Sequence, residues 1–202
     1  VLFRSGLHSI ANRVAVEAEL NSDILARRVA RDLMERYGVR PELHHVQGSG
    51  SRTGGQFAVR VIEAGETLAR QTGLLDQRRR PVRGLPNKLT TGSRPDLSAV
   101  WRGAFLASGS LSDPGRSAAL EIACPSSEAA MALVGAGHRI GIPAKAREVR
   151  GVPRVVVRDV EAIRSALFEM GARRTAGEWD QMRQRREVRA GVNRLVNFDD
   201  AN

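Results

Sequence analysis

The stretch Trp101-Arg102-Gly103-Ala104-Phe105-Leu106-Ala107-Ser108-Gly109-Ser110 decides how this chain of 202 residues folds. It forms the end of a predicted helix over residues 97–108, in which the small residues Gly103 and Ala107 stand four positions apart. Residues at that spacing share one face of a helix, and small side chains there let a second helix approach closely. The stretch therefore predicts a tight helix crossing, with any amphipathic helix that contains glycine as the plainer alternative.

The sequence around this helix carries the same order of signals twice, which indicates an internal duplication. Each copy opens with a strand whose apolar residues alternate with other residues, as expected when one face is buried. These residues are Val14, Val16, Ala18 and Leu20 in the first copy and Ala118, Leu120 and Ile122 in the second. Both strands are therefore predicted to place one face on a core.

A helix is predicted after each of these strands, over residues 24–37 and 128–138. The short polar residues of Asn21-Ser22-Asp23 and Pro125-Ser126-Ser127 can cap the free amides of the first turns. A glycine and then a proline end each helix. The side chains expected at helical spacing are Leu25, Val29, Leu33 and Tyr37 in the first helix and Met131, Val134 and His138 in the second.

Two further strands and a closing helix complete each copy. They are predicted over residues 42–46, 57–62 and 66–72 in the first copy, and 144–150, 154–158 and 160–170 in the second. A Gly/Ser-rich loop over residues 48–55 joins the first pair of strands, and the turn Gly151-Val152-Pro153 joins the second pair. The pattern predicts an α+β fold of two pseudo-symmetric halves, followed by a charged helix over residues 179–196.

Composition restricts the class of function. The formal net charge is +10, and 30 of the 32 basic residues are arginine because Lys88 and Lys145 are the only lysines. Such a charge favours a polyanionic partner, nucleic acid before membrane, although a GC-rich genome also contributes arginine. No signal peptide or span of apolar residues is evident, so we expect a cytoplasmic protein. Cys124 is the single cysteine and is expected to be a buried core thiol.

Several longer passages resemble the WhiA family of bacterial regulators. They include Gly65-Glu66-Thr67-Leu68-Ala69-Arg70-Gln71-Thr72-Gly73, Arg80-Pro81-Val82-Arg83-Gly84-Leu85-Pro86, the passage from Trp101 to Pro114, and the passage from Asn193 to Asn202. The resemblance covers nearly the whole chain and implies a duplicated fold like that of LAGLIDADG homing endonucleases. It also implies a DNA-binding transcription regulator involved in sporulation, cell division and chromosome segregation, located at the nucleoid.

The resemblance assigns a particular role to Ser108. In LAGLIDADG endonucleases, each of the two family helices ends in an acidic residue that holds a divalent metal, and the metal activates water for phosphodiester cleavage. Ser108 occupies that position here, and a neutral hydroxyl cannot replace the carboxylate. We therefore expect neither metal nor cofactor and no catalysis. The alternatives are an active endonuclease and a protein-interaction scaffold without DNA affinity.

Two groups of basic residues are candidates for contact with double-stranded DNA. One lies in the loop between the halves and comprises Arg78, Arg79, Arg80, Arg83 and Lys88. The other lies opposite the apolar face of the second sheet and comprises Arg147, Arg154 and Arg158, with Lys145 beside them. On the same faces, Glu17, Glu19 and Glu121 are expected to oppose phosphate by repulsion. Arg27, Arg28 and Arg31 are expected to form a solvated helix face, and Trp179 a packing anchor.

The predicted organisation has five segments. Residues 1–5 are interpreted as non-native adapter sequence, residues 6–76 as the first half with its family helix cut short, and residues 77–94 as the basic loop. Residues 95–171 form the second half, and residues 172–202 form a linker helix toward a helix-turn-helix domain that is absent from this chain. That absent domain is expected to supply most sequence-specific contacts, and RNA polymerase or another transcription regulator is an expected partner.

Overall fold

The computed structural model describes residues 6–10, 12–20, 22–46, 56–113 and 118–199. Within those ranges it contains two four-stranded antiparallel sheets and seven helices. The strands are β1 (Gly6–Ile10), β2 (Arg13–Leu20), β3 (Glu42–Val46), β4 (Gln56–Val61), β5 (Gly109–Leu111), β6 (Leu120–Ala123), β7 (Lys145–Val149) and β8 (Val152–Val157). The helices are α1 (Asp23–Tyr37), α2 (Gly65–Gln71), α3 (Asn87–Thr90), α4 (Arg94–Ser108), α5 (Ser127–Arg139), α6 (Val160–Glu169) and α7 (Arg173–Asp199).

These elements group into two compact units. The first takes in the described residues up to Thr91 together with Leu106–Ser108, and the second takes in Gly92–Phe105 and the described residues from Gly109 onward. Their sheets have the orders β1-β2-β4-β3 and β5-β6-β8-β7. The same strand order occurs twice in chain sequence, which confirms the predicted α+β duplication.

In the first unit, α1 packs on the predicted apolar face of the sheet. Ser22 accepts a hydrogen bond from the Leu25 amide at 3.4 Å, and Gly38 ends the helix at φ +65°. Leu20 and Val59 on the strands form one buried cluster with Ala26 and Ala30 on the helix. The exposed face of α1 carries Arg27, Arg28 and Arg31, each paired with a carboxylate four residues away, which confirms the predicted solvated face.

Helix α2 lies directly on strand β2. A Cβ added at Gly65 would stand 2.0 Å from the Val14 carbonyl oxygen, so only glycine permits this approach. Leu68 on α2 joins Val39 and Val61 in a second buried cluster, with Val16 packed against it. Val16 and Leu20 of the predicted face thus pack on the core, whereas Ala15 and Glu17 on the opposite face are also buried, at 0% and 6% exposed.

In the second unit, α5 packs on strands β7 and β8, and the buried residues come from the sheet and from α4, α5 and α6. Leu120, Ile122, Val155 and Val157 are at most 1% exposed. Trp101 on α4 is fully buried, and its indole nitrogen donates to the Leu133 carbonyl at 3.0 Å.

Helix α5 departs from its predicted packing. Met131 is 62% exposed and His138 is exposed, so the predicted side-chain stripe was wrong except at Val134. The buried face is formed instead by small residues and one leucine, namely Ala129, Ala130, Leu133, Ala136 and Gly137. Gly137 leaves the space that Trp101 fills, since a Cβ there would lie 2.6 Å from the indole ring. The face of α5 with small side chains is the buried one because it lets the helix approach Trp101 closely.

Some elements differ from the predictions. β1, β5 and the four-residue α3 were not predicted. The β7–β8 turn is Arg150-Gly151, both at positive φ, whereas Val152 and Pro153 belong to β8. The charged tail is helical, as predicted, over the longer span Arg173–Asp199. The predicted loop at residues 48–55, the segment 1–5 and the end of the first family helix before Gly6 lie outside the described residues, as do residues 200–202.

Candidate nucleic-acid interface

The outer face of the second sheet gathers most of the basic residues predicted there. Strand register pairs Lys145 with Val156 and Arg147 with Arg154, which places these side chains on the face opposite buried Val155. Glu121, paired in register with Val156, shares that face. The sequence therefore assigned Lys145, Arg147, Arg154 and Glu121 to the correct side of the sheet.

The cations on this outer face differ in whether a carboxylate already neutralises them. Arg154 and Glu121 form an ion pair at 3.3 Å, with side chains 30% and 25% exposed. Lys145, Arg147 and Arg158 are exposed, and none of them forms an ion pair with another described residue. Arg158 directly follows β8. Among the described residues, no carboxylate therefore neutralises these three cations on or beside this face.

The outer face of the first sheet is different. Glu17 and Arg60 are partners in register and form an ion pair at 2.5 Å, with the Glu17 side chain only 6% exposed. Glu42 flanks Arg60 on β3 and contacts His44 at 3.0 Å. The predicted repulsion from Glu17 and Glu121 needs correction, because each carboxylate is bound to a cross-strand arginine. Pairing removes a cation from each face and shields the carboxylate at the same time.

The basic loop of the first unit has its own internal partners. Arg79 pairs with Glu66 at 3.2 Å, and Arg80 pairs with Asp76 at 2.9 Å. Arg78, Arg83 and Lys88 are exposed and form no ion pair with a described residue. The candidates named from sequence therefore divide into two that are anchored by carboxylates and three that have no such partner in the described part of the chain.

A single carboxylate organises this loop. Asp76 accepts hydrogen bonds from the amides of Arg78 and Arg80, both at 2.8 Å, and from the Arg80 guanidinium at 3.0 Å. Hydrogen bonds of this kind favour the ionised form, so they hold the pKa of Asp76 below its ordinary value, the Arg80 amide contributing most. Sequence reasoning did not single out Asp76, although an aspartate two residues before a backbone amide is a recognised turn former.

Helix α7 is attached to the second unit along its first half. Trp179 is 2% exposed and its indole nitrogen donates to the Ser112 carbonyl at 3.0 Å, which confirms its predicted packing role. Arg186 pairs with Asp113 at 3.1 Å, and Arg164 on α6 pairs with Asp180 at 3.3 Å. Asp113 thus contacts this helix through an exposed ion pair.

Ser108 is the last residue of α4. Within the described ranges, no three His, Cys, Asp or Glu side chains are grouped to hold a metal ion. Gly103 of the same helix is exposed, and a Cβ there would meet no atom of another described element within 4 Å. Cys124 is 5% exposed, and burial raises the pKa of its thiol to about 11, as expected of a core residue rather than a nucleophile.

The fold defines the class of protein. The chain is similar to the crystal structure of full-length DUF199/WhiA from Thermatoga maritima, at 19% identity and a TM-score of 0.65, over 100% of this chain and 63% of that one. It is also similar to I-DmoI in complex with DNA and Mn, at 12% identity and a TM-score of 0.56, over 84% and 91%. This is the duplicated fold of LAGLIDADG homing endonucleases.

Sequence comparison defines the family. Residues 1–75 match the WhiA N-terminal LAGLIDADG-like domain, and residues 97–189 match the WhiA LAGLIDADG-like domain. A probable cell division protein WhiA of Leifsonia xyli is 67% identical over 200 residues, and one of Mycobacterium sp. is 58% identical over the same length. The chain therefore belongs to the WhiA family. It covers 61% of the length of each of these relatives, and 99% of its own residues align with them.

One further finding concerns membranes. Of the helices that the structure describes, none combines the length and the apolar character that a membrane span requires.

Proposed function

We propose that this chain is the non-catalytic, DNA-contacting part of a transcription regulator that acts in sporulation, cell division and chromosome segregation. The observation that carries the proposal is a set of exposed cations on and beside the outer face of the second sheet that form no ion pair with another described residue, namely Lys145, Arg147 and Arg158. Cations without an internal carboxylate release counterions from duplex DNA when they meet its phosphates. The proposed setting is the cytoplasm, at the nucleoid, with RNA polymerase or another regulator as a partner.

The proposal is tested by the salt dependence of binding. Fluorescence anisotropy of a labelled mixed-sequence duplex with the 202-residue chain should show affinity falling steeply with salt, with a slope in log affinity against log salt of about −3 for three contacts. The double variant Lys145→Gln and Arg147→Gln should make the slope shallower by about 2.

A matched control is available in α1. The double variant Arg27→Gln and Arg28→Gln removes the same charge from a helix face whose arginines are already paired with carboxylates. The slope should then change by less than half as much as in the sheet variant. Equal losses in both variants would show that only net charge matters, and a flat salt response in the unmodified chain would contradict DNA contact altogether.

The non-catalytic part of the proposal rests on Ser108. A carboxylate is the ligand that a Mg²⁺ or Mn²⁺ ion needs at this helix end, and a serine hydroxyl is a poor substitute. Incubation of the chain with supercoiled plasmid and either metal should give no cleavage. Reproducible nicking that a chelator abolishes would overturn this part and favour the endonuclease alternative.

A second candidate function is a protein-docking scaffold, and the first sheet favours it. Its outer face pairs Glu17 with Arg60 and places Glu42 and His44 in contact, and carboxylates outnumber guanidinium groups there, so the face does not favour phosphate. The same anisotropy experiment separates the two candidates, because a scaffold without DNA affinity gives no salt-dependent signal.

A further inference from the structure

The basic loop of the first unit is a closed structure. Leu75 and Pro81 form an isolated β-bridge, and the Val82 amide donates to the Leu74 carbonyl at 2.9 Å. Farther on, Pro86 is buried and packs at Gly73, where an added Cβ would stand 3.0 Å from the proline ring. Both ends of this loop are therefore held in place by contacts within the first unit.

The turn inside this loop is held by the hydrogen bonds of Asp76. Besides the three that its carboxylate accepts, the Asp76 amide donates to the Arg80 carbonyl at 2.9 Å, and the Arg79 amide donates to the Asp76 carbonyl at 3.0 Å. Five hydrogen bonds thus link Asp76 to the three residues Arg78, Arg79 and Arg80. A loop with this many internal bonds has lost most of its backbone freedom before any ligand arrives.

The backbone of the turn also adopts an unfavourable conformation. Arg79 has φ +60°, a left-handed value that residues other than Gly, Asn and Asp seldom adopt. Its guanidinium is fastened to Glu66, and Arg80 is fastened to Asp76. Backbone strain of this kind is retained where the surrounding contacts enforce it, and it is frequent at ligand-binding sites.

What the turn presents is positive charge. With Arg79 and Arg80 anchored, the side chains of Arg78 and Arg83 remain exposed and without an ion pair among the described residues. Arginine is well suited to phosphate, since its planar fork can donate two parallel hydrogen bonds. An ordered backbone beneath these side chains lowers the entropy that binding must remove.

We propose that Asp76 is a positioning residue that holds the turn in a preformed shape, so that Arg78 and Arg83 contact the phosphate backbone of duplex DNA. This second contact rests on the proposed DNA binding of the chain and is separate from the outer face of the second sheet. A carboxylate beside a phosphate-binding element repels the phosphates, so its net benefit must come from the turn that it builds.

The sign of a substitution at Asp76 tests this directly. If Asp76 acts only through its charge, its removal should tighten DNA binding whichever residue replaces it. Asp76→Asn removes the charge but keeps a side-chain oxygen that can accept from the amides of Arg78 and Arg80. Asp76→Ala removes both. The proposal predicts that the Asp76→Asn variant binds the duplex at least as tightly as the unmodified chain. The Asp76→Ala variant should bind it more weakly.

The loss should also depend on the arginines. The double variant Arg78→Gln and Arg83→Gln should make the salt slope shallower by about 2, and Asp76→Ala should add little loss in that background. Arg40→Gln serves as a control, since Arg40 is an exposed arginine of the same unit that forms no ion pair with a described residue. Its slope should change by less than half of one unit per charge removed.

The outcomes distinguish this inference from the proposed function. If the Asp76→Ala variant binds as tightly as the Asp76→Asn variant, Asp76 does not position the turn. If the Arg78 and Arg83 double variant leaves the salt slope unchanged while the Lys145 and Arg147 variant alters it, the turn does not contact DNA. Either result rejects the inference and leaves the proposed function standing. If the unmodified chain binds no duplex, the proposed function fails and the inference with it. Thermal unfolding of each variant identifies any loss that comes from misfolding, and the arginine variant, which leaves the turn bonds intact, then decides.

Discussion

The two sheets of this protein have one strand order and opposite surface charge. On the described strands, the outer face of the first sheet carries three carboxylates against two guanidinium groups, and that of the second carries three cations against one carboxylate. The first set is Arg13, Glu17, Glu19, Glu42 and Arg60, and the second is Glu121, Lys145, Arg147 and Arg154. Duplication thus preserved the strand order while the two outer faces diverged.

Each face nevertheless contains one cross-strand pair between glutamate and arginine, and the two pairs differ in burial. Glu17 is 6% exposed beside Arg60, whereas Glu121 is 25% exposed beside Arg154. The two arginines are about equally exposed, at 31% and 30%, but water screens the more exposed Glu121 carboxylate better than the buried Glu17 carboxylate. The first pair should therefore matter for stability and the second for binding.

The largest effect is expected on stability, from Glu17→Gln. The substitution removes a carboxylate that is only 6% exposed and leaves the Arg60 guanidinium without its partner, and it should lower the free energy of unfolding by about 2 kcal/mol. Glu121→Gln should lower it by less than about 1 kcal/mol, because the Glu121 carboxylate is more exposed and water already screens its attraction to Arg154. Urea titration followed by circular dichroism measures both values.

Cys124 provides a separate probe of unfolding for the second unit, which also contains Glu121. It is the only thiol, it is buried in the second unit, and its raised pKa makes it slow to react while folded. Labelling with a thiol reagent at each urea concentration therefore reports unfolding of the second unit. Equal destabilisation by Glu17→Gln and Glu121→Gln would contradict the prediction that the buried pair contributes more to stability than the more exposed pair.

Much of this architecture could be predicted from sequence, and the exceptions share a cause. Alternating residues and capped helices were recognised because their signals extend over a full element. β5, with three residues, is too short for any periodicity. Helix α5 was assigned the wrong face because alanine and glycine carry its burial, and their small apolar surface gives a weak pattern.

The charged site depended on contacts that periodicity does not reveal. Strand alternation placed Arg147 and Arg154 on the correct face. The partnership of Glu17 with Arg60 joins residues 43 positions apart and follows only from strand register. For the same reason, sequence could count the arginines of the loop but could not say that Asp76 and Glu66 anchor two of them.

A smaller effect, on DNA affinity, is expected from Glu121→Gln. Removal of this carboxylate frees Arg154 for phosphate and should tighten duplex binding roughly twofold to fivefold near physiological salt, with a slope steeper by about 1. Glu17→Gln should change affinity by less than half as much, since Arg60 lies among carboxylates on its own sheet. Tighter binding from Glu17→Gln alone would reverse the assignment of the DNA-facing sheet.

The smallest effect concerns the turn that sets the basic face of the second sheet. Arg150 and Gly151 both have positive φ, at 54° and 73°, in a two-residue turn between β7 and β8. Asparagine tolerates this conformation better than arginine, so Arg150→Asn should stabilise the protein by about 0.5 kcal/mol.

Arg150→Gln is the matched control, because it removes the same charge without the conformational preference. The turn fixes the register in which Arg147 opposes Arg154, and a slip of one residue would turn Lys145 and Arg147 toward the core face. If the turn holds this register, the Asn and Gln variants should differ in thermal unfolding and share one DNA salt slope. A slope that differs between them would show that the turn, and not only the strand charges, adjusts the basic face to the duplex.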